Sequence, residues 1–453
     1  MKVLLVSHLY PPANAAGTEQ YAAQLAAGLV ARGHAVEVFT GTKDVARAHL
    51  SLGRREHEGV PVHELVNNLE FTAFEETWRL PAAEEAFAEV LDAVQPDLVH
   101  VHHLLNLSAG LPALAHERGL PVVMTLHDYW LQCARGGQRL DDRGELCLEV
   151  ERERCARCLG GFRWRNSPLE QRVGRALARV REVSGLDLSA PARRVGDRLR
   201  GREAAGEAPP MPQEELERRD AMLLQRLPGA VDRFLSPSAF LRDELVRAGL
   251  PAGRIQHLPS GVQAPPGSSA RSARGPRLRV GFLGSQIPVK GAHLLLEALA
   301  RLEPAERGAL EVTLHGPRKR DPNYAARLEE LAAAVGARLE GPLDRSGVAE
   351  FLSRTDLLVV PSLWLENQPL VVLEALAAGV RVLASDLGGL IELVRPGEGG
   401  ARFPVGDVGA LAEHLAELAR NPGALDGLGE PRRVPDLEEQ HDAILEVYRE
   451  LLQ

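Results

Sequence analysis

Residues 362–379 read SLWLENQPLVVLEALAAG. Glu366 and Glu374 stand eight residues apart, either side of a turn that enters a helix. The pattern predicts Asn367 as the N-cap and Pro369 at the first helical position, where a missing N–H costs nothing. The N–H groups of Leu370 and Val371 then point out of the helix start. Together with the helix dipole they form an anion site suited to a diphosphate. Glu366, just before the helix, is placed to take a ligand hydroxyl beside that phosphate, and Glu374, about one turn in, to reach a ribose. The competing reading is two surface glutamates on an ordinary helix. The Leu and Val around them leave few solvent positions for it.

Working outward, DLLVVPS (356–362) and RVLAS (381–385) flank this turn as buried strands, preceded by LRVGFLG (278–284) and EVTLHG (311–316). A helix follows each of the four. The first half repeats the rhythm with VLLVS (3–7), AVEVFT (35–40), DLVHVHH (97–103) and PVVMTL (121–126). These short, mostly apolar or β-branched runs read as buried parallel strands. A helix over about 18–31, closed by Gly33 as a left-handed cap, joins the first two. The order predicts doubly wound parallel sheets with ligand crevices at the carboxyl ends of the strands.

The domains expected are 1–263, then a Pro/Gly/Ser/Arg-rich linker at 264–277, then 278–425, and a terminal segment 430–453, helical from about 436 to 452. The linker is also the expected hinge. Residues 162–226 break the rhythm. They are Arg/Glu-rich and helix-like, with a looser piece REAAGEAPPMPQEE inside. Two readings stand: a solvated helical insertion, or a basic amphipathic surface (RVGRALARVREV) that touches anionic lipid or a partner.

The chain has 453 residues, 45% hydrophobic and 25% charged, enough for two or three domains. Its net charge of −9 disfavours a nucleic-acid binder. No apolar run approaches the roughly 18 residues of a membrane span. The opening MKVLLVSHLYPP lacks the apolar core and cleavage site of a signal peptide. The expectation is a cytoplasmic protein, at most peripheral to the inner face of the membrane.

The E-x7-E arrangement with EALAAG and the later SDLGGLIELV resembles the retaining glycosyltransferases of family 4, which have the GT-B fold. So do the opening HLYPPANAAGTEQYAAQLAAGLVARGHAVEVFT, the central LHDY, the SPSAFLRDELVRAG run and the PVKG turn. The resemblance implies an α/β protein of two Rossmann-like domains facing a cleft, with a helical insertion in the first. By the same resemblance, Glu366 holds donor-sugar hydroxyls near the reacting carbon and Glu374 is the ribose ligand. Lys290 neutralises the donor diphosphate, so no metal is required for that task. His127 lies beside the donor sugar. The family usually has an arginine five residues before the lysine, and here that position is Ser285. Gly17, behind Ala16, is the second of what is often a glycine pair, and it lets backbone N–H approach phosphates or the acceptor. LPSGVQ departs from the family's more usual Asn before the Gly and Asp two residues after it. The implied partners are a UDP-, GDP- or ADP-linked sugar and a glycan, lipid-linked or small-molecule acceptor.

Transfer of a hexose-type sugar to an acceptor hydroxyl with retention is thus the leading expectation. A nucleotide-sugar 2-epimerase on the same architecture and a non-catalytic sugar-nucleotide-binding scaffold are its rivals. A nicotinamide dehydrogenase is disfavoured, since no G-x-G-x-x-G follows the first strand.

All four cysteines fall between residues 133 and 158, as C-x13-C-x7-C-x2-C. So few, so confined, they do not resemble a secreted disulfide framework. Cys155 and Cys158 share one turn, and Cys133 and Cys147 would complete a tetrahedral, structural zinc site that orders a polar loop. Four free thiols are the bland alternative, and the spacing is equally open to an iron–sulfur cluster.

Overall fold

The computed structural model describes residues 1–12, 17–185, 209–263, 272, 275–318 and 321–453. Most of the predicted linker, residues 186–208 of the predicted insertion, and Ala16 lie outside the described residues. The chain divides into two compact units. Unit 1 comprises Met1–Ser236, Arg242–Gln256 and Ala443–Gln453, and unit 2 comprises Pro237–Leu241 and His257–Asp442.

Unit 1 is built on an eight-stranded sheet of β1 (Lys2–Ser7), β2 (Ala35–Thr42), β3 (Leu52–His57), β4 (Val60–Val66), β5 (Leu98–Val101), β6 (Val122–Thr125), β7 (Arg233–Ser236) and β8 (Ile255–His257). Its order is β3-β4-β2-β1-β5-β6-β7-β8. β1 lies parallel to both β2 and β5, so the winding reverses there. Val3 to Val6 are fully buried, as a strand covered on both faces requires. The antiparallel β3–β4 hairpin adds an edge absent from the expected strands. Its β3, LGRREH, is charged and alternates exposed with half-buried positions, so it carries no continuous apolar run.

Unit 2 has β9 (Leu278–Leu283), β10 (Leu310–His315), β11 (Arg338–Glu340), β12 (Leu357–Val360), β13 (Arg381–Ser385) and β14 (Gly400–Phe403) in the order β11-β10-β9-β12-β13-β14. Every pair is parallel. Alternate residues of β12 enter two cores. Leu357 and Val359 pack with helices Ala292–Arg301 and Val408–Arg420, while Leu358 and Val360 pack with helix Leu370–Ala377. β11 and β14 were not among the expected strands; they are three and four residues long, too short for a pattern to show.

The unit boundaries differ from those expected at 263 and 430. Val262 is buried in the unit 2 core with Val360 and Val372, and the Gly261 N–H donates to Gln440 Oε1 at 2.8 Å. Residues 257–263 therefore belong with unit 2. The terminal helix runs Leu437–Leu451, and its last part belongs to unit 1, where Tyr448 is fully buried.

The insertion is not simply solvated. Within it, helices Pro168–Ser184 and Gln213–Asp220 are described, and Arg219 on the latter is 2% exposed. Its guanidinium lies over the Trp130 ring and donates to the carbonyls of Trp130 and Leu131. Burial lowers its pKa to about 10.

Candidate active site

In parallel α/β sheets, ligands bind beyond the carboxyl ends of strands where the winding reverses. In unit 2 that place is between β9 and β12. Beyond β9 the chain runs through Ser285, which is half-buried, to a short turn Pro288–Lys290. Gly291 closes that turn at φ 71°, where a Cβ would overlap the Pro361 carbonyl oxygen; only glycine brings Lys290 this close to the end of β12.

Beyond β12, Ser362 is buried and Glu366 is 7% exposed. Lys290 Nζ donates to Glu366 Oε1 at 2.7 Å and Ser362 Oγ donates to the same oxygen at 2.8 Å. The Lys290 ammonium also sits 4.7 Å over the Trp364 ring, a cation–π contact. Burial alone would raise the Glu366 carboxyl. The charge and hydrogen bond of Lys290, with Ser362, outweigh it and hold the carboxyl below its usual range. The Gly389 N–H donates to the Glu366 carbonyl at 2.8 Å, and a Cβ on Gly389 would overlap the Asn367 carbonyl oxygen. That packing explains the double glycine of SDLGG.

The helix start differs in detail from the expected one. The helix is Leu370–Ala377 with Pro369 as N-cap, and no side chain caps it. Asn367 is not the cap, because its Oδ1 accepts from Ser238 Oγ at 2.5 Å. Leu370 and Val371 therefore occupy N1 and N2, whose N–H groups have no partner within a helix. An anion held at this helix start would therefore meet backbone N–H groups and no capping side chain. Glu374 is half-buried one turn in, and its carboxylate receives no hydrogen bond from the described residues. Burial pushes its carboxyl up to about 7, against the opposing charge of Arg345.

In unit 1, the ends of β1, β5 and β6 carry a cluster of imidazoles. His127, half-buried, shares a hydrogen bond with His102 (Nε2 to Nδ1, 3.2 Å) and stands edge-on to Tyr21. His100 bonds Thr125 Oγ1 at 2.8 Å and Tyr448 Oη at 2.5 Å. His103 Nδ1 accepts from the Leu105 N–H, so in the neutral ring the proton lies on Nε2, which donates to Asp128 Oδ2 at 3.2 Å. His8 Nε2 is 3.3 Å from Glu19 Oε1. Burial holds four of the rings neutral: His8 and His100 are lowered to about 3, and His102 and His127 well below the usual value. Burial would raise Asp128, but His103 and the Trp130 N–H outweigh it and keep the carboxylate low. The buried atoms His8 Nδ1, Glu19 Oε2 and His102 Nε2 have no hydrogen-bond partner among the described residues.

Gly17 opens helix Gly17–Ala31 rather than preceding it, and a Cβ there would meet none of the described residues within 4 Å. Packing does not demand glycine at this position. Sequence reasoning passed over His8, Glu19 and Ser362, although each lies inside a stretch it quoted. A polar residue at the end of a buried strand was the signal available.

The four cysteines are free thiols around one small pocket. Burial, then the charges of Cys133, Cys147 and Cys158, push the Cys155 thiol up to about 11. Among the described residues, no three His, Cys, Asp or Glu side chains stand at metal-holding separation. The loop is also not in want of order, contrary to expectation. Arg139, 1% exposed, donates to the carbonyls of Cys147 and Leu148, to Gln132 Oε1 and to Glu244 Oε2.

Comparison with known proteins covers both units. Residues 15–183 match Glycosyltransferase Family 4, and residues 277–421 match Glycosyl transferases group 1. The D-inositol 3-phosphate glycosyltransferase of Kribbella flavida is 31% identical over 217 residues, 44% of this chain and 51% of that protein. The phosphatidyl-myo-inositol mannosyltransferase of Mycobacterium leprae is 36% identical over 169 residues, 36% of this chain and 44% of that one. The alignments thus span about half the length of these relatives. Among solved structures, sucrose-phosphate synthase from Thermosynechococcus elongatus superposes with a TM-score of 0.65 at 20% identity, covering 99% of this chain and 98% of that one. HepE of Anabaena in complex with UDP and glucose gives 0.60 at 16%, covering 99% and 100%. With its two α/β units matched in order, the protein belongs to glycosyltransferase family 4 of the group 1 glycosyltransferases and has the GT-B fold.

Proposed function

We propose that this protein transfers a sugar from a nucleoside-diphosphate sugar to an acceptor hydroxyl with retention of configuration, in glycan or glycoconjugate biosynthesis in the cytoplasm. The observation that carries the reading is the Lys290–Glu366 pair, 2.7 Å apart, just ahead of the uncapped helix Leu370–Ala377. A lysine has three donors and Glu366 occupies one, leaving the ammonium able to share a diphosphate with the helix N–H groups. Charge on the departing diphosphate grows in the transition state, so this cation and helix dipole act where they lower the barrier. Glu366, kept ionised, accepts hydroxyls of the donor sugar. Glu374 has an unengaged carboxylate for the ribose diol. Solved neighbours whose descriptions include UDP-glucose, or ADP with acarbose, suit a donor of this class.

On unit 1, burial keeps His127 neutral, so it would bring no charge to a donor sugar beside it. The unpartnered His8 Nδ1, Glu19 Oε2 and His102 Nε2 would take hydroxyls of donor or acceptor. No described helix is long and apolar enough to cross a membrane. Leu169, Val173 and Val180 are exposed on the Arg-rich helix Pro168–Ser184, which would serve a lipid-linked acceptor at an anionic surface.

A thermal-shift screen over UDP-, GDP- and ADP-sugars tests the reading. The true donor, at a hundred times its Kd, adds about 2.7 kcal/mol of stability. Transfer with that donor is then followed by NMR of the new anomeric linkage. An inverted product refutes retention. Free nucleoside diphosphate without acceptor or glycoside favours the epimerase, and binding without turnover favours the scaffold.

A further inference from the structure

The geometry points to a structural zinc site in unit 1, held by the thiolates of Cys133, Cys147, Cys155 and Cys158. All four cysteines of the chain line one pocket of about 30 Å³. They reach it from three separate pieces of chain. Cys133 ends a turn in which its N–H donates to the Tyr129 carbonyl at 2.8 Å. Cys147 follows the Leu140–Leu146 bridge, with its N–H on the Arg139 carbonyl at 2.8 Å. Cys155 and Cys158 share one turn of helix Arg152–Gly160. Convergence of every thiol in a long chain on one pocket, with no disulfide among them, is what a metal site requires and what chance placement seldom gives.

The backbone around the pocket is already fixed. Arg139 ties down the Cys147 and Leu148 carbonyls, and Arg154 pairs with Asp141 at 2.7 Å. What remains is the approach of the sulfurs, since no three candidate ligands stand at metal-holding separation among the described residues. A χ1 rotamer change swings a thiol inward without moving the backbone. Four thiolates on a divalent ion leave two net negative charges, and three arginines line this pocket against one carboxylate, Asp141. Arg135 Nη1 lies 3.6 Å from Cys158 Sγ, and Arg139 and Arg154 line the same wall. Such donors to coordinated sulfur are the outer shell a thiolate metal site needs. The pocket is small, as a single-ion site is. Four protein ligands leave no open position, so the ion is structural. It would brace the segment that carries Asp128 and Trp130.

The test uses the full chain purified without chelator, and its readouts are independent of any transferase activity. Elemental analysis is expected to give about one zinc per chain, with thiols that react slowly until the metal is stripped. Cobalt(II) exchanged into the parent is expected to show the visible and charge-transfer bands of tetrahedral thiolate coordination. Cys155→Ser and Cys133→Ser are each expected to lose most of the zinc. Should either variant fail to fold, the cobalt spectrum of the parent decides. Metal-free protein whose four thiols react at once overturns the proposal. So does iron with labile sulfide in place of zinc, a Cys155–Cys158 disulfide in the purified chain, or an octahedral cobalt spectrum.

Discussion

The two sheets end in opposite electrostatic solutions. At the strand ends of unit 1, His8, His100, His102 and His127 are desolvated and neutral. At those of unit 2, Lys290 and Glu366 form an ion pair in a similarly enclosed place. A buried charge must be matched by its opposite or be given up, and an imidazole can give its charge up where a lysine–glutamate pair holds it. The proposed division of labour follows. The charged end suits the dianionic diphosphate, and the neutral end suits hydroxyls, whose hydrogen bonds reverse direction as needed.

The sharpest way to break this contrast is to remove the carboxylate. Glu366→Ala is expected to lower transfer about a hundredfold or more at saturating donor, on the scale of losing one transition-state contact. Circular dichroism checks that the fold persists, and near-normal turnover would end the assignment of Glu366. Lys290→Ala follows, with a loss of about tenfold to a hundredfold in kcat exceeding any rise in KM, because its charge matters most as the diphosphate departs. An effect confined to KM would mean that it binds donor and transition state equally.

Acid sharpens the comparison from the side of unit 1. His8 and His100 have folded-state values of about 3, below the free value of 6.5. Their contribution is complete above about 6.5 and is lost as pH falls from there towards 3, because only the unfolded chain takes up the protons. Each ring costs at most about 1.4 kcal/mol per pH unit in that window. The melting temperature should therefore drop by several degrees between pH 6.5 and pH 5 in a calorimetric series. A flat profile would show these rings to be solvated.

Glu374 predicts the opposite trend in ligand binding. Burial raises its carboxyl to about 7, and a ribose diol needs the ionised acceptor. Donor affinity, measured by titration calorimetry, should strengthen as pH rises through 7. Glu374→Gln should weaken binding about tenfold, one to two hydrogen bonds' worth, and flatten the pH dependence. The smallest effect is expected of Gly17→Ala. None of the described residues lies within 4 Å of the added Cβ, so stability should change by less than about 1 kcal/mol. Any loss of activity then measures how closely a ligand approaches, and unchanged activity removes Gly17 from the site.

Much of this was legible beforehand because it rests on local physics. VLLVS and DLLVVPS lack polar alternation, and that alone marks strands buried on both faces. Helix lengths, the Gly33 cap at φ 81° and the spacing of Glu366 from Glu374 are likewise near-neighbour properties. The charged β3 escaped because an edge strand is specified by its partner β4 and not by its own composition.

The tertiary structure decided what depends on distant residues. Asn367 is a plausible cap by type, yet Ser238, 129 positions away, claims its side-chain oxygen. The Cys loop reads as polar and unsupported until Glu244 and Gln132 meet Arg139 inside it. His103 takes its tautomer from Leu105 and Asp128, and Glu366 keeps its charge because Lys290, 76 positions earlier, comes within 2.7 Å. Residue type and spacing set which groups can hydrogen-bond or ionise. Which partner each one finds, and so which charge it keeps once water is excluded, is settled only when the chain closes around it.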